Sequence, residues 1–177
     1  MSSFLKNIIR FIFFILLQAL LLQRIPFLHK SITPYLYYLY ILWLPFSLPR
    51  GWLTFTGFIY GLTLDYFLDT PGLHAAACTL IAYVRPFLIN MLIPQEGSEQ
   101  SYASPSVRSM GWAPYFTLVL ILTLLHHTYL VFLEWLQIGS FWYFLIKVFA
   151  STGVSILLVL LAEMLFVRKE RFRTNKV

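Results

Sequence analysis

The feature that most constrains this chain is its succession of long, almost uncharged apolar blocks separated by short polar breaks. An apolar run of about 20 residues matches a helix that crosses the hydrocarbon core of a bilayer. The first run covers residues 11–22, with Lys6 and Arg10 ahead of it. Only Gln23-Arg24-Ile25-Pro26 follows, which is no small-residue cleavage site. Residues 4–22 therefore read as an uncleaved first span whose two bases reach back to the membrane surface. Further spans are expected at 33–48, 52–68, 73–93, 113–136 and 141–167. The expected fold is an all-α integral membrane protein, a bundle of about six transmembrane helices in a single polytopic domain, 1–177. A water-soluble fold is excluded because only 11% of the residues are charged and 59% are apolar. Soluble domains carry roughly 25% charged residues.

Local signals refine this outline. Thr33-Pro34 looks like a helix start, since Thr can cap and Pro is tolerated in a first turn. Tyr35, Tyr37, Tyr38, Tyr40 and Trp43 follow densely enough to be an interfacial aromatic belt. Pro45 and Pro49 should kink or end that helix before Arg50. Asp69-Thr70-Pro71-Gly72 is a tight turn, which makes 52–68 and 73–93 an antiparallel hairpin. Residues 94–112 form a polar loop that reads as mobile.

The net charge is +6, and its distribution orients the chain. With both termini inside, the cytoplasmic face holds Lys6, Arg10, Arg50, Arg108 and the tail bases Arg168, Lys169, Arg171, Arg173 and Lys176. The outer face holds only Arg24 and Lys30, a positive-inside bias. The tail, 168–177, reads as an anchor at anionic lipid. No aromatic–basic interleaving or soluble module accompanies it, so nucleic acid is not an expected partner. Cys78 is the single cysteine, which rules out a disulfide within the chain.

Ionisable groups inside apolar spans are costly and need partners. Asp65 lies four residues before Asp69, so about 6 Å below the outer boundary. Lys147 lies about 9 Å below the same boundary. His74, His127 and Glu134 fall in the same leaflet. A partly buried polar cluster is expected there, with Asp65 and Lys147 the pair best matched in depth. Helix-to-helix adhesion explains it more simply than a transport or ion site, because the groups gather near one surface. His126 and His127 are adjacent and point about 100° apart, so one ion is not easily shared between them. No metal or cofactor is expected. Arg85 sits near mid-membrane, on the order of 13 Å from Asp65 in depth, and Pro86 follows it. It should either reach towards the cytoplasm or bond carbonyls freed by Pro86. Gly57 and Gly61 form a GxxxG facing the small residues Ala75, Ala76, Ala77, Cys78, Thr79 and Ala82, which allows close helix approach. No GxSxG, phosphate loop, HExxH or dinucleotide fingerprint is present, so no catalytic residue is expected.

The stretches Gly61-Leu62-Thr63-Leu64-Asp65-Tyr66-Phe67, Thr70-Pro71-Gly72-Leu73-His74-Ala75 and Ala82-Tyr83-Val84-Arg85-Pro86 resemble the rod-shape-determining membrane proteins MreD, in their Bacteroidota-type version. His126-His127 through Phe132-Leu133-Glu134, Leu17-Gln18 and the basic tail are similar to that family too. The resemblance implies a non-enzymatic subunit of the cell-elongation machinery in the bacterial inner membrane. Its partner would be the single-span protein MreC and, through it, MreB filaments and peptidoglycan synthases. It also implies a fold like the six-helix substrate-binding subunits of energy-coupling-factor transporters. Gly61, Asp65, Pro71, Gly72, His74, Arg85 and Pro86 match the family motif. The main alternative is a substrate-binding subunit of a vitamin-type transporter. The first span, Phe11-Ile12-Phe13-Phe14-Ile15-Leu16-Leu17, lacks the small residues such coupling favours. An intramembrane enzyme using Asp65, His74 and Glu134 as acid or base ranks behind both.

Overall fold

The computed structural model describes residues 3–24, 32–93, 103–138 and 140–165. It is all helical, with no strand among those residues. Helix α1 spans Ser3–Leu16 and continues as a π turn, Leu17–Leu21, and a 3-10 turn, Leu22–Arg24. The remaining helices are α2 (Leu39–Leu42), α3 (Arg50–Leu68), α4 (Leu73–Leu92), α5 (Val107–Met110), α6 (Trp112–Ile138) and α7 (Phe141–Leu165). The windows Leu5–Arg24, Leu73–Leu92, Trp112–Leu136 and Phe141–Leu165 are long and apolar enough to cross a membrane. Their outward faces carry large exposed apolar side chains, including Ile12 on α1, Leu20 on the π turn that continues it, Phe87 and Met91 on α4, and Phe149 and Leu161 on α7. Contiguous apolar surface on this scale is what lipid, not water, covers.

The count of six spans is not reproduced. Helix α3 is long enough, but its Gly, Thr and Tyr residues and Asp65 make it less apolar than the other four windows. The expected second span differs more. Thr33-Pro34 begins no helix, residues 32–36 are irregular, and α2 has only four residues. Tyr35, Tyr37, Tyr38, Tyr40 and Trp43 form no interfacial belt, because every residue from 34 to 44 is buried. This inner segment runs antiparallel to α1: Gln18 bonds Pro34 and Leu36, Phe11 packs on Tyr40, and Arg10 lies over Trp43. Pro49 stands at the α3 N-cap in an extended conformation. The described part of the polar loop is structured. Phe46 N–H donates to the Ala103 carbonyl, and Ser106 and Ser109 form a reciprocal capping box on α5. Residues 94–102 and the tail 168–177 lie outside the described residues.

Helices α3 and α4 make the most extensive contact in the bundle. The glycines explain its closeness. A Cβ on Gly61 would lie 2.5 Å from Ala75 Cα, and one on Gly57 would lie 2.7 Å from Ala82 Cβ. With lipid as solvent, packing and polar bonds rather than apolar burial hold such helices together.

Candidate functional site

Asp65, in the last turn of α3, reaches across the hairpin to the start of α4. Its Oδ1 accepts from His74 N–H at 2.9 Å and from Thr70 Oγ1 at 3.0 Å, and faces His74 Nδ1 at 2.8 Å. Its Oδ2 accepts from Ala75 N–H at 2.9 Å. The first N–H groups of a helix need outside acceptors, and an N-cap side chain usually supplies one. Here the N-cap is Gly72, at φ 85°, which has no side chain to offer. Asp65 therefore caps α4 from the neighbouring helix, where its charge also meets the positive helix end. Gly72 permits the left-handed turn, and Asp69, at φ 55°, ends α3 in the same region. Pro71 lies exposed at the tip.

Asp65 and Lys147 do not pair, contrary to the depth argument. Lys147 instead bonds Glu134 across α6 and α7, while Asp65 is taken up by His74. The expected single cluster is thus divided. His127 does not join Glu134. Its Nδ1 faces the Thr123 carbonyl at 2.7 Å and its Nε2 faces Ser155 Oγ at 3.0 Å. Rise per residue orders depth along one helix, but it does not say which faces of different helices meet.

What links these groups is the irregular inner segment, whose backbone is satisfied by side chains from several helices. Gln18 Nε2 donates to the Pro34 carbonyl and Leu36 N–H donates to Gln18 Oε1, each at 3.0 Å. Thr33 N–H donates to Ser151 Oγ at 3.1 Å and Tyr35 N–H to Ser155 Oγ at 3.0 Å. Tyr60 Oη donates to the Tyr37 carbonyl at 2.9 Å. Non-helical backbone is tolerated at membrane depth only when protein or a water-filled cavity surrounds it. The segment's own phenols meet α6, with Tyr37 Oη 2.6 Å from His126 Nε2 and Tyr38 Oη 2.9 Å from Thr123 Oγ1. Tyr35 and Tyr37 pack edge-on against His74 and His126, joining the hairpin cap to the histidine pair.

Arg85 follows neither expected course. It is 2% exposed, so it does not reach the surface. It bonds neither the carbonyls freed by Pro86 nor an acid. Its Nη2 donates to the Leu42 carbonyl at 3.3 Å and, more closely, to that of Leu44. The Leu39 and Ile41 carbonyls are taken by the N–H groups of Trp43 and Leu44, and Arg85 supplies the donor for the Leu42 carbonyl at the end of α2 and for that of Leu44 just beyond it. Helix α4 continues through Pro86, which is half-buried.

Gln18, Tyr37, Ser151, Ser155 and Glu163 escaped the sequence reading as interacting groups. Gln18 and Glu163 carried a usable signal, since each is a polar group inside an apolar run and must find a partner. Glu163 accepts from Trp43 Nε1 at 2.6 Å and from the Tyr115 hydroxyl. Ser151 and Ser155 are spaced to share one face of α7.

Chemically, the Asp65–His74 pair has the form of an acid-oriented imidazole. Among the described residues His74 Nε2 and His126 Nδ1 find no hydrogen-bond partner, and both residues are buried. No nucleophilic side chain bonds either atom, and neither reaches the surface. Among the described residues no group of three or more His, Cys, Asp or Glu side chains is placed to hold a metal ion. The arrangement is suited to fastening backbone. Comparison with protein-family models, curated proteins and solved structures returns no match.

Proposed function

We propose that this chain is a non-enzymatic membrane subunit of the bacterial cell-elongation complex, of the MreD kind, which docks an MreC-like single-span protein in the inner membrane and so supports peptidoglycan synthesis and cell shape. One observation carries the reading: residues 34–44 fill the middle of the bundle with the chain's own side chains. A vitamin-type transport subunit needs an outward-open pocket. A bundle whose interior is taken up by its own backbone offers partners its lipid-facing helices and loops. The resembling motif residues support the same reading, because Gly61, Asp65, Thr70, Gly72 and His74 hold the two helices of the hairpin together. On this reading both termini are cytoplasmic, following the distribution of Lys and Arg.

The transport alternative keeps one supporting feature. Irregular backbone inside a membrane bundle, ringed by buried polar groups, is also how secondary transporters build substrate sites. Affinity purification from membranes in mild detergent, with partners identified by mass spectrometry, separates the two. Recovery of a single-span protein with a periplasmic coiled coil, with or without wall synthases, is the expected result. Recovery of an ATPase module or a tightly held small molecule overturns it.

A further inference from the structure

On the outer surface of the hairpin, away from the polar core, lies a groove of about 620 Å³. It is lined by Arg50, Gly51, Thr54, Phe55 and Phe58 of α3 and by Tyr83 of α4. Positions 50, 54 and 58 recur one turn apart, so the groove follows one face of α3 for about 12 Å. Gly51 opens it, since a Cβ there would meet nothing within 4 Å. At its head, the Arg50 guanidinium lies 3.9 Å from the Tyr83 ring centroid and 3.8 Å from that of Phe87. The two rings hold the cation in place and leave its charge uncompensated. Neither the Asp65–His74 pair nor the Glu134–Lys147 pair includes Arg50. No side chain caps the first turn of α3, whose positive end adds to the same field.

Depth fits an amphiphile. Gly61 packs opposite Ala75, and Gly57 opposite Cys78 and Ala82. Extending that pairing puts Arg50 level with about Phe87, so α4 runs on for roughly 8 Å to its end at Leu92. The cation therefore sits below the end of α4, beside the apolar side chains of Phe55 and Phe58. An unpaired cation at such depth calls for an anion.

We propose that this groove holds one anionic phospholipid, its phosphate at Arg50 and an acyl chain laid along Gly51, Thr54, Phe55 and Phe58. A phospholipid brings an anion and an apolar tail on one molecule, in the order in which the groove presents a cation and apolar walls. A partner's transmembrane helix would bring backbone carbonyls already bonded within itself and leave Arg50 uncompensated.

Trp52, beside the groove and 64% exposed, is the reporter. Its fluorescence, taken as the difference between the chain and its Trp52→Phe variant, is followed in phosphatidylcholine nanodiscs. Phosphatidylglycerol or phosphatidylcholine with brominated acyl chains is added in increasing mole fraction. Half-quenching is expected at about fivefold lower mole fraction of the brominated phosphatidylglycerol, the preference that one arginine confers at an anionic surface. Arg50→Gln should abolish that preference. Gly51→Leu, which fills the groove and keeps the cation, should weaken quenching by both lipids, and it decides the matter if Arg50→Gln loses helical circular dichroism. Millimolar inorganic phosphate should leave quenching unchanged. Equal quenching by both lipids, or a preference that survives Arg50→Gln, overturns the proposal. So does recovery of fluorescence with free phosphate, which makes the site one for the ion rather than the lipid. Shielding of Trp52 from both lipids by a co-purified single-span protein also overturns it, and assigns the groove to a helix.

Discussion

Asp65 spends a buried carboxylate on a task usually left to a cap residue, and this determines how its substitutions should behave. Asp65→Ala leaves the N–H groups of His74 and Ala75 without acceptors and the His74 Nδ1 with only the Thr70 hydroxyl, which should cost about 3 kcal/mol. Asp65→Asn keeps an acceptor oxygen and should fall between the two. Accumulation in membranes and denaturation in detergent check this: Asp65→Ala with normal abundance and partner binding but lost function would point to transport or chemistry instead. Gln18 makes a sharper case, because it serves both a carbonyl and an N–H of the inner segment. Gln18→Leu should destabilise by about 2 kcal/mol in the same assay, although Leu suits the apolar run better. Glu134 and Lys147 form the pair to test by a double-mutant cycle. Lys147→Met alone should harm more than Lys147→Met with Glu134→Gln, with a coupling of about 1–2 kcal/mol. A coupling near zero would mean that lipid headgroups or water serve both ends.

Among the elements, the α3–α4 hairpin is the tightest and was the most legible. Its Pro-Gly turn and GxxxG were apparent in the sequence, and its helices run Arg50–Leu68 and Leu73–Leu92 where 52–68 and 73–93 were expected. A Cβ on Gly61 would lie 2.5 Å from both Ala75 Cα and the His74 carbonyl oxygen, whereas one on Gly57 would lie 2.7 Å from the Ala82 methyl and 2.9 Å from the Cys78 carbonyl oxygen. Gly61→Ala should therefore cost about 2 kcal/mol, and Gly57→Ala less, read as thermal midpoints in one detergent. The inner segment was not legible. Apolar and aromatic content foretells burial but does not separate a helix from irregular chain, because in both cases the side chains are dry. The missing information lay far away in sequence, in Ser151, Ser155, Tyr60 and Arg85, which bond this segment's backbone. Pairings of this kind depend on how helix faces meet, and so the Asp65–Lys147 expectation failed while His74 lay nine residues away.

At the scale of the molecule, the described residues include four helices long and apolar enough to span a bilayer, and buried polar groups lie among them. Those polar groups bond chiefly to one another and to the inner segment, a pattern that confers one defined arrangement on the bundle.

The bonds from Thr33 to Ser151 and from Tyr35 to Ser155 join residues 118 and 120 positions apart. A chain entering the membrane from its N-terminus makes the inner segment early and its last fastenings very late. Until α7 arrives, the Thr33 and Tyr35 amides have no native acceptor, and the nascent protein must shelter them in the insertion machinery or with lipid headgroups. Helix α7 thus works as a latch, and a chain cut short before it would present the cell's membrane proteases with an open interior.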